Sequence, residues 1–136
     1  MKNPFSTHTS FQEVKAPHSS NPIPGLHIVA NFAVSNCEKL IRFQAFKAFA
    51  ETLIAENNLQ QVGGVFHDFD TGGFTAVICL TESHLSVHTW PENNYLTFDI
   101  FLSNYLKDNR ATTQLLYERV KKYFGATILF EQIIDR

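Results

Sequence analysis

The chain has 136 residues, 44% of them hydrophobic and 18% charged, with a formal net charge of -2. That length suits one domain with a core of its own, and the composition is ordinary for a globular protein. The near-neutral balance speaks against a nucleic-acid binder, which carries a clustered basic surface, and no stretch is apolar for long enough to span a bilayer.

The N-terminal MKNPFSTHTSF lacks the apolar segment of a secretion signal, so a cytoplasmic protein is expected. Cys37 and Cys79 both lie in apolar runs and are expected to be reduced and buried.

Residues 1–24 hold Pro4, Pro17, Pro22 and Pro24 among Ser, Thr, Asn and His. Such a segment predicts a mobile N-terminal extension, or an arm crossing to a partner, ahead of a single domain over 25–136. In LHIVANFAV, the residues Leu26, Ile28, Ala30 and Phe32 share one face, which predicts a first strand. Ser35 and Glu38 have the spacing of a capping box. Behind them Leu40, Phe43, Phe46, Ala50 and Leu53 recur at threes and fours, predicting a helix over about 36–57 that ends at Asn57 and Asn58.

QQVGGVFHDF, then GGFTAVICLT after the turn residues Asp70 to Gly73, then NNYLTFDIFLS after Pro91, read as three strands. Asp108 or Asn109 caps a second helix with the stripe Leu115, Leu116, Val120, Tyr123 and Phe124, and Gly125 stops it. ATILFEQII reads as the last strand. The order β-α-β-β-β-α-β predicts an α/β (α+β) fold, a two-layer sandwich with a largely antiparallel sheet and two helices on one face. No third helix is left to cover the other face. A homodimer is therefore expected, with Phe66 and Phe98 among the side chains offered to the second copy.

Residues 81–92, TESHLSVHTWPE, concentrate serine, histidine and glutamate. The stretch alternates, with Glu82, His84, Ser86, His88 and Trp90 on one side and Ser83, Leu85, Val87 and Thr89 on the other. A strand with one solvated face produces this pattern with no chemistry attached. His84 and His88, with His67 or Glu82, offer ligands to zinc. The helical setting and the glutamate that make paired histidines diagnostic are missing, so no metal is expected. A hydrolase built on Ser83 or Ser86 with His88 lacks both the Gly-x-Ser-x-Gly elbow and an acid to orient the histidine.

As a whole, ESHLSVHTWPE followed by an aromatic-rich strand ending DIF closely resembles the processing site of the bacterial S-adenosylmethionine decarboxylases, small pyruvoyl-dependent enzymes of polyamine synthesis. The likeness extends upstream through FHDF at 66–69 and GGFTAVICLTE at 72–82 to LHIVANF at 26–32. It implies cleavage between Glu82 and Ser83, with Ser83 converted into a covalent pyruvoyl group. That ketone takes the place of pyridoxal phosphate, forming a Schiff base with the α-amine of a small amino-acid substrate as carbon dioxide leaves. The resemblance further implies that Thr75 stabilises the oxyanion of the cleavage intermediate and that His88 removes the α-proton of Ser83. Phe69 would stack on adenine and Glu92 would hold the ribose hydroxyls. The family's sites lie near the interface of a homodimer.

Three positions depart from the family pattern; at the first, Thr75 stands for the family's serine and keeps the hydroxyl. Ser103 stands where the family has the cysteine that reprotonates the substrate carbon, and a hydroxyl is a far poorer acid than a thiol of pKa about 8.5. Cys79, placed inside an apolar strand, is expected to face the core and not to substitute. Asp68 replaces the arginine of the family's FHRF and would put a negative charge near the pocket. That charge motivates an alternative substrate, a basic amino acid such as arginine or ornithine. The missing cysteine motivates another alternative, a catalytically impaired relative with a regulatory or binding role.

Overall fold

The structure is a computed structural model that describes residues 23–105 and 107–136. The expected N-terminal extension thus lies almost wholly outside the described residues. Six strands and two α-helices follow in order: β1 (Leu26–Ala33), α1 (Gln44–Glu56), β2 (Gln61–Asp68), β3 (Phe74–Leu80), β4 (Ser83–Trp90), β5 (Tyr95–Leu102), α2 (Arg110–Phe124) and β6 (Thr127–Asp135). Short 3-10 turns occupy Cys37–Leu40 and Pro91–Asn93. The expected order holds, with one strand more than it counted, because the alternating ESHLSVHTW stretch pairs on both sides as β4.

All neighbours in the sheet are antiparallel, in the order β2-β3-β4-β5-β1-β6. Period-two alternation then sorts the side chains. On one face Ile28, Phe32, Phe74, Ile78, Val87, Leu96 and Ile100 are fully buried beneath the helices. Phe98 belongs to that face as well. It stacks on Phe32 at 6.4 Å and on Tyr117 of α2 at 6.2 Å, so it is a core residue and not one offered to a second copy. Phe66 also turns inward, tilted against Phe43 at 5.5 Å. Phe46 of α1 packs between Phe74 and Phe124, which ties both helices to the sheet.

The first helix is shorter than the sequence predicts. Asn36, not Ser35, accepts the Glu38 N–H and caps a 3-10 turn, and α1 proper starts only at Gln44. Between the two the chain is held from outside: Asp68 Oδ1 accepts the Phe43 N–H at 2.8 Å, putting a carboxylate at the positive end of α1. The helix ends come where expected, with Asn57 at the end of α1 and Gly125, at φ 61, closing α2. Among the described residues no helix is long and apolar enough to cross a membrane.

Among the described residues the opposite face carries no helix. Truncating Phe98 to Ala should cost about 3–5 kcal/mol of stability, read as a lower denaturation midpoint, because the cavity lies inside the aromatic stack. Leu115→Ala, at a half-exposed site on α2, should change it by no more than about 0.5 kcal/mol.

Candidate active site

The open face is lined by alternate residues of the central strands, and its polar centre is Asp99 of β5. His27 of β1 lies at 2.8 Å and His84 of β4 at 3.1 Å from one carboxylate oxygen, and Ser86 donates to the other. Arg136 Nη1 sits 3.1 Å from His27 Nδ1. A guanidinium can only donate, so Nδ1 must accept and the Nε2–H of His27 points at Asp99. Burial alone pushes the Asp99 carboxyl upward. The hydrogen bonds from Ser86, His27 and His84 outweigh that effect and hold it below its ordinary value of 3.8. His27, His84 and Asp99 lie close enough to hold a metal ion. The Arg136 contact opposes one, since a metal on His27 Nε2 would turn an N–H toward the guanidinium.

The residues singled out by the sequence fall into two groups at opposite ends of β4. At one end, Thr75 and His88 are directly paired across β3 and β4 and share a hydrogen bond through His88 Nδ1, which leaves Nε2 without a hydrogen-bond partner among the described residues. They line a cleft of about 370 Å³ together with Phe69, Trp90 and Glu92. The turn after β2 builds its wall. Gly73, at φ 99, closes a Phe69-to-Gly73 hydrogen bond of 2.9 Å, and its missing Cβ avoids the Thr89 carbonyl at 3.0 Å. Arg42 binds the Phe69 carbonyl at 3.0 Å, leaving the ring 45% exposed with His67 edge-on at 5.0 Å.

At the other end lies Ser83, paired with Leu80 and Leu102 at the start of β4. Its φ is 148, a region that a residue with a side chain rarely occupies. The carbonyl of the preceding Glu82 accepts the Ser103 N–H at 2.8 Å. Thus Glu82, Ser83 and Ser103 are brought together, as are Thr75, His88, Phe69 and Glu92, but the two groups are not. His88 follows Ser83 by five positions on one strand, and at roughly 3.3 Å per residue that separates them by about 16 Å.

Two sequence expectations are corrected here. Cys79 is exposed on the open face, opposite His84, because it falls between the inward-facing Ile78 and Leu80. Cys37 is only partly buried. Asp68 turns to the start of α1 instead of the cleft, which removes the charge that motivated a basic substrate. Sequence reasoning missed Asp99 and took Asn109 only as a candidate helix cap, a bond its side chain does not make. The sole signal for Asp99 was a charge at an alternate position of an otherwise apolar strand.

The fold is that of a class of small α+β enzymes. The sequence profile described as S-adenosylmethionine decarboxylase matches residues 26–136, and the chain belongs to that family. It is 31% identical over 103 residues to the S-adenosylmethionine decarboxylase proenzyme of Aquifex aeolicus strain VF5, covering 72% of this chain and 76% of the relative. It is 40% identical over 77 residues to the proenzyme so named from Sulfurihydrogenibium sp. strain YO3AOP1, a match spanning 57% of this chain and 58% of that relative's length. The crystal structure of the adenosylmethionine decarboxylase from Aquifex aeolicus VF5 superposes with a TM-score of 0.71 at 26% identity, covering 85% of this chain and 92% of that one.

Strain at Ser83 predicts that Ser83→Gly melts at a higher temperature than Ser83→Ala, by about 1 kcal/mol or more of stability, since glycine adopts positive φ freely; equal melting would contradict it. Because the Asp99 carboxyl is held low, its contribution to stability is complete above its ordinary value of 3.8 and is lost as pH falls through the lower folded value. Asp99→Asn should therefore flatten the acid side of a thermal-stability profile below about pH 4.

Proposed function

We propose that the protein is a self-processing, pyruvoyl-dependent carboxy-lyase acting on S-adenosylmethionine, matured by cleavage between Glu82 and Ser83 and completed as a cytoplasmic homodimer. The observation that carries the reading is the setting of that bond. Ser83 is held at φ 148, and the carbonyl before it already accepts a backbone N–H.

In cleavage the Ser83 hydroxyl attacks the Glu82 carbonyl carbon. The carbonyl oxygen becomes an oxyanion, and the Ser103 N–H, already 2.8 Å away, stabilises it more than it stabilises the neutral carbonyl. The C–N bond breaks and the Ser83 nitrogen takes up the proton that the hydroxyl gives up. Removal of the Ser83 α-proton then expels the ester oxygen, leaving Glu82 as a carboxylate. Water replaces the nitrogen, which departs as ammonia, and a ketone remains. When formed, the pyruvoyl group supplies an electron sink for decarboxylation.

The base for the α-proton is a second chain's His88. A two-fold axis that lays one open face on another with strands reversed puts the Ser83 end of each copy against the Thr75–His88 end of its mate. Each site then combines Ser83 and Ser103 from one copy with Thr75, His88, Phe69 and Glu92 from the other. The cleft suits a nucleoside: Phe69 offers an exposed ring for stacking and Glu92 a carboxylate for paired ribose hydroxyls. No contact among the described residues favours a basic amino acid or a purely regulatory role.

Ser83→Ala should abolish both maturation and carbon dioxide release. Co-expressing Ser83→Ala with His88→Ala chains should restore cleavage of the His88→Ala chain, because hybrid dimers regain one complete site. Two dead parents giving a dead mixture of hybrid dimers would contradict the shared site.

A further inference from the structure

Asn109 stands at the head of α2 and is fully buried. Asparagine at such a position ordinarily caps the helix, its side-chain oxygen accepting an N–H from the first turn. Here it makes no such bond, and among the described residues Oδ1 has no partner. The amide end is the one engaged: Nδ2 donates to the Ser103 carbonyl at 2.8 Å. Exchanging the two ends would set two oxygens against each other, so the orientation follows from chemistry. The residue is also fixed through its backbone. Its N–H donates to Asn104 Oδ1 at 2.8 Å, and its carbonyl accepts from Thr113 N–H at 2.8 Å and Thr113 Oγ1 at 2.9 Å.

Ser103 lies just past β5, where the sheet no longer determines its peptide. Its carbonyl is bound by Asn109 and its N–H is bound to the Glu82 carbonyl, each at 2.8 Å. We infer that Asn109 is a positioning residue for self-cleavage: its side-chain amide clamps the Ser103 carbonyl and so aims the Ser103 N–H at the scissile carbonyl oxygen. A preorganised donor is effective because it needs no reorientation while charge develops, and losing one typically costs 10²–10³ in rate. A donor left in place but loosely aimed loses part of that. Residue 103 then serves maturation through its backbone, whatever its side chain, and the orphaned Oδ1 is the cost of dedicating the amide end to this task.

This inference rests on the proposed self-cleavage. The test follows the intact mass of freshly translated chain over time for the parent, Asn109→Asp and Asn109→Ala. Asn109→Asp keeps the shape and the ability to cap a helix but loses the donor. Both variants should cleave at least about 10-fold more slowly than the parent. Thermal melting is compared in the uncleavable Ser83→Ala background, where the Asn109→Asp double variant should stay folded with a cooperative transition. Cleavage of Asn109→Asp within twofold of the parent rate would overturn the inference. So would slow cleavage accompanied by loss of the cooperative transition, which reduces Asn109 to support of the fold. A parent chain that stays uncut would instead overturn the functional reading itself, and the role of Asn109 with it.

Discussion

A strand cannot fold back on itself. Ser83 and His88 share β4 five positions apart, and an extended backbone keeps such residues about 16 Å apart however the rest of the molecule adjusts. This constraint organises everything else about the site. On the proposed reading each chain carries two half-sites, one with the bond to be cut and one with a hydrogen-bonded threonine and histidine beside a cleft. The proposed chemistry therefore belongs to a pair of chains, and it asks the bare face of the sheet to be an interface.

The sheet suits that task. Its helix-covered side buries the large aromatic and aliphatic residues, so the fold is secured from one side alone. The other side mixes polar groups that satisfy one another with apolar side chains such as Phe101. Asp99 collects donors from two neighbouring strands, and Arg136, at the end of the described chain, fixes the tautomer of His27. A carboxylate so fully hydrogen-bonded can be covered without the penalty of an orphaned charge. Sheet-on-sheet contact of the kind proposed needs such a surface. Backbone strain at Ser83 persists because strands on both sides hold it in register.

Much of this was legible in the sequence because burial leaves a periodic trace. Leu26, Ile28, Ala30 and Phe32 declare their face two residues at a time, and Gly125 declares the end of a helix by the backbone it alone tolerates cheaply. The misreadings differ in cause. An unbroken apolar run such as FTAVICL does not reveal which of its alternate residues points out, and Cys79 was assigned to the wrong face. Phe98 was misplaced although Thr97 and Asp99 on either side mark the other face as the outward one. Asp68 looked like a pocket charge because of its neighbours in sequence, whereas its partner, the Phe43 N–H, lies 25 residues away. Long-range hydrogen bonds leave no pattern in a single sequence. That is why the Asp99 centre and the Asn109 contact emerged only with the fold.

The residues at the two ends of β4 could be recognised as a set but not seen to be divided, since spacing along a strand says nothing about a second copy. The account stands on one covalent event at the Glu82–Ser83 bond in an assembly of two chains. Native mass spectrometry of the purified protein, followed by denaturing mass spectrometry, tests both parts together. The account predicts a dimer that separates on denaturation into fragments 1–82 and 83–136, the second bearing a ketone in place of its N-terminal amine. An uncut chain of 136 residues persisting through long incubation would contradict it.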